Sequence, residues 1–372
     1  MIKLYCSLSY SIMMKARRSR ILDYASSIGC NTVVAFQPEN VYYLTGFWGE
    51  AIALCTNLGT KLITPKLEVT RALRTAKESD VITSERGAKM ISTLALQIKE
   101  GTSCSDCDNY SEIQCIQKNT AHRSFLINPE PFYQSRMIKD NDEIKAISNA
   151  ARIIDTLYEI CMQEIRVGMS ERELQALLIF EAMKRGANTT SYKSTLNPLI
   201  IAGGSNAAEP HAQISDRRFI NGDFIVVDLT LRYDGYIADA TRTFALGTAN
   251  NEMKKVYNIV KESQQAGLDA LKEGVECSYI DAVCRQLIEN GGYSNEFIHS
   301  TGHGIGLEVH EPPWLTMKNQ EILQPNMAVT IEPGIYLDGK FGVRIEDSTI
   351  IDVKNSRVRN LNEFSKDLIV LG

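Results

Sequence analysis

The chain is poor in every feature that would tie it to a membrane or to a polyanion. No run of about 18 apolar residues occurs, the length a helix needs to cross a bilayer, so no transmembrane span is expected. There is no basic excess, because 40 Lys and Arg stand against 45 Asp and Glu for a net charge of -5, and a nucleic-acid partner or anionic membrane surface is not expected. The one basic cluster, Lys15, Arg17, Arg18 and Arg20, reads as the solvated face of a helix. Disulfide spacing is missing too. Nine cysteines, an odd number spread along 372 residues, do not make a covalent framework, and the reducing cytoplasm is the expected location. Cys104, Cys107 and Cys115 form a CxxC plus one. With no fourth ligand, they read as scattered thiols in a surface segment rather than a zinc site. The first fourteen residues, MIKLYCSLSYSIMM, are broken by serines and end at the basic run, unlike a signal peptide. Met13 and Met14 offer an alternative start.

A chain of 372 residues exceeds one ordinary core, so two domains are expected. The fold class is α/β. From Lys15 to about Pro131, helical stretches alternate with short apolar strands such as NTVVAF and KLITP. In the segment starting SRMIKDNDEIKAISNAARIID, Ile144, Ile147, Ala151, Ile154 and Leu157 recur at helical spacing. The boundary is placed just before it, giving domains 1–134 and 135–372.

The second domain contains a weak internal repeat. Gly168-Met-Ser-Glu-Arg-Glu-Leu aligns with Gly274-Val-Glu-Cys-Ser-Tyr-Ile at an offset of 106, and Gly186 meets Gly292 at the same offset. Ser170 and Glu173 make a capping box at the first helix start. After each helix comes a hairpin around Asp-Gly: DFIVVDLTLRY-DG-YIADATRTF and AVTIEPGIYL-DG-KFGVRIEDSTII. A two-residue turn in the first pairs Tyr233 with Tyr236 and Thr230 with Asp239, leaving Asp228 and Asp239 as diagonal neighbours on one face. In the second, a three-residue loop, Asp338 to Lys340, places Glu332 opposite Glu346. A two-residue loop puts them on opposite faces.

Four carboxylates on apolar strands are costly when ionised, through desolvation and mutual repulsion. Arg242 and Arg344 cannot neutralise all four, whereas two divalent cations can. Histidine is scarce, yet four of the five lie in this domain: His211, His299, His303 and His310, three of them in HSTGHGIGLEVH. Gly302, Gly304 and Gly306 suggest close backbone packing beside His303. No phosphate loop or Walker lysine accompanies them, which argues against a nucleotide site. Carboxylate and imidazole donors without thiolate suit Mn, Co, Fe or Zn, and two such ions acidify a shared water and turn it on a carbonyl. That is hydrolase chemistry.

GHGIGLEVHEPP, TIEPGIY, GVRIEDS and ADATRTF together resemble the pita-bread metallopeptidases, which include methionine aminopeptidase, aminopeptidase P and Xaa-Pro dipeptidase. PENVYYLTGF resembles the extra N-terminal domain of the proline-directed branch. The resemblance implies a duplicated α/β catalytic domain, mainly antiparallel in its sheet, behind an N-terminal α/β domain. It implies that Asp228 chelates one metal, that Asp239 and Glu346 bridge two, and that His303 and Glu332 bind the other. Mn or Co is the first choice of metal, with Zn or Fe as alternatives. Glu332 is then also the general base, with His211 and His310 contacting substrate and His299, Thr241 and Arg344 behind the ligands.

The implied reaction is hydrolysis of the bond between an N-terminal residue and a following proline, by hydroxide bridging the two metals. A homodimer is implied by the resemblance alone. Alternatives are strict Xaa-Pro dipeptidase action, methionine aminopeptidase action, against which the N-terminal domain argues, and a binding protein or a metal-free creatinase-like hydrolase, both expected to have lost ligands. Two positions depart from the family pattern: Thr230 stands where a glycine is common, and Trp314 where some dipeptidases carry an arginine for the substrate carboxylate. The second tilts the reading toward longer peptides.

Overall fold

A computed structural model describes residues 2–99, 101–120, 124–190, 197, 199–352 and 358–372, with side chains from residue 13 onward. Most of the apolar leader's side chains therefore lie outside the described residues. The chain divides into two compact units, Met1–Arg136 and Met137–Gly372.

The first unit follows α1 (Ile2–Ser27), β1 (Thr32–Ala35), α2 (Pro38–Thr45), β2 (Ile52–Thr56), β3 (Gly59–Pro65), α3 (Val69–Thr75), β4 (Ser79–Ser84), α4 (Ala88–Gln97), β5 (Thr102–Ser105), α5 (Tyr110–Asn119), β6 (Ser124–Ile127) and α6 (Glu130–Met137). Its strands form one mixed sheet in the order β4-β3-β2-β1-β5-β6. Two expectations fail here. Arg17 and Arg18 are buried: Arg18 donates to the carbonyls of Leu44 (2.9 Å) and Lys77 (2.7 Å), and the Arg17 guanidinium lies 5.4 Å from the Tyr43 ring centre. Arg18 satisfies carbonyls in the last turn of α2 and just past the end of α3, where helix termini leave acceptors open. Cys104 and Cys107 are likewise core residues rather than surface thiols, and Cys115 is half-buried. Burial pushes the Cys107 thiol up to about 12.

The second unit begins with α7 (Asn141–Glu164) and α8 (Glu171–Lys184), followed by β7 (Asn188–Thr189), β8 (Ile200–Gly203), β9 (Phe224–Tyr233) and β10 (Tyr236–Leu246). Then come α9 (Asn251–Ala270), α10 (Cys277–Asn290), β11 (Gly302–Gly304), β12 (Glu311–Leu315), β13 (Ala328–Ile331), β14 (Gly334–Leu337), β15 (Phe341–Arg344), β16 (Asp347–Ile351), β17 (Val358–Asn360) and β18 (Val370–Leu371). Asp140 with Glu143 and Ser170 with Glu173 form complete capping boxes on α7 and α8.

The repeat read from the glycines is physical. Gly168 and Gly274 have φ of 86° and 82°, and Gly186 and Gly292 have 83° and 89°, so each pair makes the same left-handed turn. The backbone contacts repeat as well: Gly168 N–H donates to Phe219 O at 2.8 Å and Gly274 N–H to Leu323 O at 2.9 Å. In each half two helices cover a sheet. One sheet runs β18-β10-β9-β7 with β8 also on β9, and the other runs β12-β11-β13-β16-β17, with β14 and β15 as a separate ribbon. Val256, Val260 and Ile288 of α9 and α10 pack on Ile335 and Val343 of that ribbon. Ile280 and Cys284 of α10 pack on Val329 and Ile331.

Candidate metal centre

The first hairpin has the expected register, Tyr233 opposite Tyr236, Thr230 opposite Asp239 and Asp228 opposite Thr241. Its turn is the Asp234-Gly235 pair at φ of 47° and 85°. Asp228 and Asp239 thus project from one face, one step apart on neighbouring strands. The second hairpin takes the three-residue turn. Leu337 pairs with Phe341, Gly334 with Arg344 and Ile331 with Asp347, so one register runs through β13/β16 and β14/β15. Between the two pieces the ladder opens, and Glu332 and Glu346 fall opposite each other in the gap. The hairpins meet where Thr241 and Glu346 form an isolated bridge, and Thr241 Oγ1 donates to Glu346 Oε2 at 2.7 Å.

His303 completes the ring from β11. A Cβ at Gly304 would overlap the Pro312 carbonyl oxygen and one at Gly302 the Thr330 carbonyl oxygen, so both neighbours must be glycine for the strand to sit this deep. His303 Nδ1 lies 3.1 Å from the Gly304 carbonyl oxygen. A carbonyl only accepts, so Nδ1 carries the proton and Nε2 offers its lone pair to the cavity. Nε2 is 3.3 Å from Glu332 Oε1.

All five residues line one cavity of about 240 Å³, together with His211, His299, His310, Thr230, Trp314 and Arg344. Donor atoms of Asp239, His303 and Glu346 lie within 4.8 Å of one another. Burial raises every carboxyl here: Asp228 to about 7, Glu332 to about 8, Asp239 upward, and Glu346 well above its ordinary range. Burial also lowers His303 to about 4 and His310 to about 3, so both imidazoles are neutral bases. Among the described residues lining the cavity the one fixed cation is Arg344, which donates to Asp228 Oδ2 at 2.6 Å. Arg242 is turned away onto Asp347 at 2.7 Å. Asp228 Oδ1 is buried with no hydrogen-bond partner. An orphaned carboxylate oxygen, neutral imidazoles and clustered acids short of positive charge are the donor set of a divalent-cation site, and the residues fit one.

A family model described as "Metallopeptidase family M24" matches residues 145–352. The chain belongs to metallopeptidase family M24. A second model, "Creatinase/Prolidase N-terminal domain", matches residues 17–138 of this metallopeptidase. It is 33% identical over 360 residues to an Xaa-Pro dipeptidase of Pyrococcus horikoshii, covering 96% of this chain and 99% of that one. The structure resembles an Xaa-Pro dipeptidase from Bacillus anthracis with a TM-score of 0.88 at 32% identity, over 96% of this chain and all (100%) of the other. It also resembles an X-Pro aminopeptidase from Thermotoga maritima with a TM-score of 0.81 at 33% identity, over 92% and 98% of the two chains. The M24 peptidase is a metal-dependent hydrolase with the pita-bread fold.

Around the acids, the peptidase places residues that sequence reasoning assigned incompletely. The Thr230 hydroxyl donates to Asp239 Oδ1 at 2.9 Å and orients that carboxylate. Thr241 lies behind the acids, accepting from Arg344 Nε at 3.0 Å while donating to Glu346. Tyr336 was missed. It accepts from Arg344 Nη1 at 2.7 Å and lies 2.9 Å from His299 Nε2, while His299 Nδ1 lies 2.8 Å from the Ser300 carbonyl oxygen. The signal was present in the pairing: Gly334 faces Arg344 and Gly342 faces Tyr336, so the two large side chains meet diagonally over two bare positions. His310 stands edge-on to His303 with ring centres 4.5 Å apart. Beside it Glu311 pairs with Lys139 at 2.8 Å, both fully buried.

Proposed function

We propose that this peptidase cleaves the bond between an N-terminal residue and a following proline, and that it favours peptides longer than two residues. Asp228, Asp239, His303, Glu332 and Glu346 would hold two divalent cations, with Asp239 and Glu346 shared between them. Oxygen and nitrogen donors without thiolate suit Mn or Co, with Zn or Fe as alternatives. When bound, such a pair supplies an acidified water and polarises the scissile carbonyl. Glu332, in the gap of the second hairpin's ladder, accepts the proton of the attacking water and delivers it to the departing proline nitrogen. Neutral His310 and His211 present ring nitrogens to the substrate carbonyl as it becomes tetrahedral.

The preference for longer peptides is carried by Arg344. Its guanidinium is committed to Asp228, Thr241, Tyr336 and the Pro210 carbonyl, so among the described cavity residues no cation is left for a dipeptide's terminal carboxylate. Trp314 offers a flat apolar surface beside His310 instead, with ring centres 6.3 Å apart, and a longer peptide presents only a neutral amide there. A second reading, strict Xaa-Pro dipeptidase action, is favoured by the names of the relatives.

Hydrolysis of Xaa-Pro and Xaa-Pro-Yaa peptides with added Mn or Co separates the two readings. The expected result is a kcat/KM at least about tenfold higher for the longer peptide, the scale of one charge-assisted hydrogen bond. Equal or reversed rates would favour the dipeptidase, and no cleavage of either by metal-loaded protein would sink the peptidase assignment for proline substrates. Trp314→Arg is expected to raise kcat/KM on dipeptides by about tenfold while leaving longer peptides no better cleaved. A variant unchanged on both would remove Trp314 from the account.

A further inference from the structure

The segment that carries His211 leaves β8 at Gly203 and returns at Ser215, and both ends close on one carboxylate. Glu171, the first residue of α8, is fully buried. It accepts from the Gly203 backbone N–H at 2.9 Å, Asn206 Nδ2 at 3.1 Å, the Ser215 N–H at 3.2 Å and the Ser215 hydroxyl at 2.5 Å. One turn further on the same helix face, Gln175 donates to the Leu199 carbonyl at 2.7 Å and to Asn197 Oδ1 at 2.6 Å. Asn197 in turn donates to the carbonyl of Ala212, next to His211, at 2.8 Å.

An acid in the first turn of a helix is ordinarily favoured by the helix dipole. That account needs no burial and would be met by an exposed glutamate. A buried charge is tolerated only when its hydrogen bonds are complete, and here they are completed by the two ends of the His211 segment. The duplication supplies an internal comparison. At the offset of 106 residues, Glu171 corresponds to Cys277 and Gln175 to Asp281. Asp281 accepts from the Thr301 N–H at 3.0 Å, two residues before His303. Both halves therefore use the buried face of this helix to hold a histidine-bearing segment. In the second half β11 already secures the backbone of His303. His211 has no such strand, and its half alone carries the glutamate.

We infer that Glu171, seconded by Gln175, is a positioning residue for His211: it sets how far that imidazole reaches into the cavity without itself touching the cavity. The inference rests on His211 contacting substrate, as proposed above. A displacement of about 1 Å in a substrate-contacting group can cost a hundredfold in rate.

The test is a double-mutant cycle on the metal-loaded full chain with an Xaa-Pro-Yaa substrate. Glu171→Gln keeps the side-chain shape but turns a donor toward groups that are themselves donors. It is expected to lower kcat/KM by about ten- to a hundredfold, with metal content and cooperative melting retained. His211→Ala should show the same division of the loss between kcat and KM, and the double variant should be no slower than the slower single one. Ser215→Ala removes the hydroxyl's bond to Glu171 and those the hydroxyl accepts from Asn206 Nδ2 and the Arg217 N–H, but leaves the bonds from the Gly203, Ser215 and Asn206 N–H groups to Glu171. It should show a smaller loss in the same direction and carries the test should Glu171→Gln fail to fold. Losses that multiply in the double variant would overturn the inference, as would a fully active Glu171→Gln or Ser215→Ala beside an impaired His211→Ala. A fully active His211→Ala would instead overturn the role given to the histidine, and the positioning role with it.

Discussion

Glu332→Gln lowers kcat by about a thousandfold, within the range of general acid–base contributions, while the protein stays folded and keeps metal. The substitution preserves volume and one carbonyl oxygen at a position whose side chain is 15% exposed, so packing gives little reason for unfolding. What disappears is the ability to take up and release a proton; the loss of one anionic metal donor is offset by working at saturating metal. In the metal-free protein burial raises this carboxyl to about 8, so the pocket strongly favours its protonated form, and only positive charge placed nearby makes it a base at neutral pH. The measurement is kcat at saturating Mn or Co, together with metal content by elemental analysis. A near-normal kcat in a variant with full metal occupancy would sink the assignment.

Chelation makes stability strongly dependent on pH, and added metal removes most of that dependence. Without metal, Asp228 and Glu332 titrate near 7 and 8 against about 4 in an unfolded chain. Between those limits the folded state holds protons that the unfolded state has released. By linkage, stability falls as pH rises from about 4 toward 8, at about 1.4 kcal/mol per pH unit for each proton retained. The stabilising contribution is complete below the unfolded pKa and lost above the folded one. Metal competes with those protons, so its affinity rises over the same interval. At a thousandfold excess over Kd, it contributes about 4 kcal/mol. Melting curves at pH 5, 6, 7 and 8, with chelator and with Mn, check this. The expected gap widens with pH, and a chelated protein with the same Tm throughout would refute it.

The core of the site was legible because hairpin counting has few solutions. Once an Asp-Gly turn is located, a two- or three-residue loop decides every facing pair, and side-chain alternation decides which acids share a face. The second hairpin left two choices open, and the structure takes the three-residue one. Contacts made across long separations were harder to read. Arg17 and Arg18 looked like a solvated face because their partners arrive later: the Tyr43 ring on α2 for Arg17, and carbonyls on α2 and just before β4 for Arg18. Glu171 carries no signal in the sequence, because the groups it binds come only at Gly203, Asn206 and Ser215. Tyr336 lies inside TIEPGIY, yet its meeting with Arg344 follows only when register and bare glycine positions are combined.

The bridge between Thr241 and Glu346 places the candidate metal centre on a seam. Asp228 and Asp239 belong to one copy of the repeated unit and Glu332 and Glu346 to the other, so neither copy owns a complete set of acids. A metal centre held by these residues would be an interface folded into a single chain. Changes along the seam should act as interface mutations do, altering affinity for the ions that join the copies before they disturb the architecture of either one.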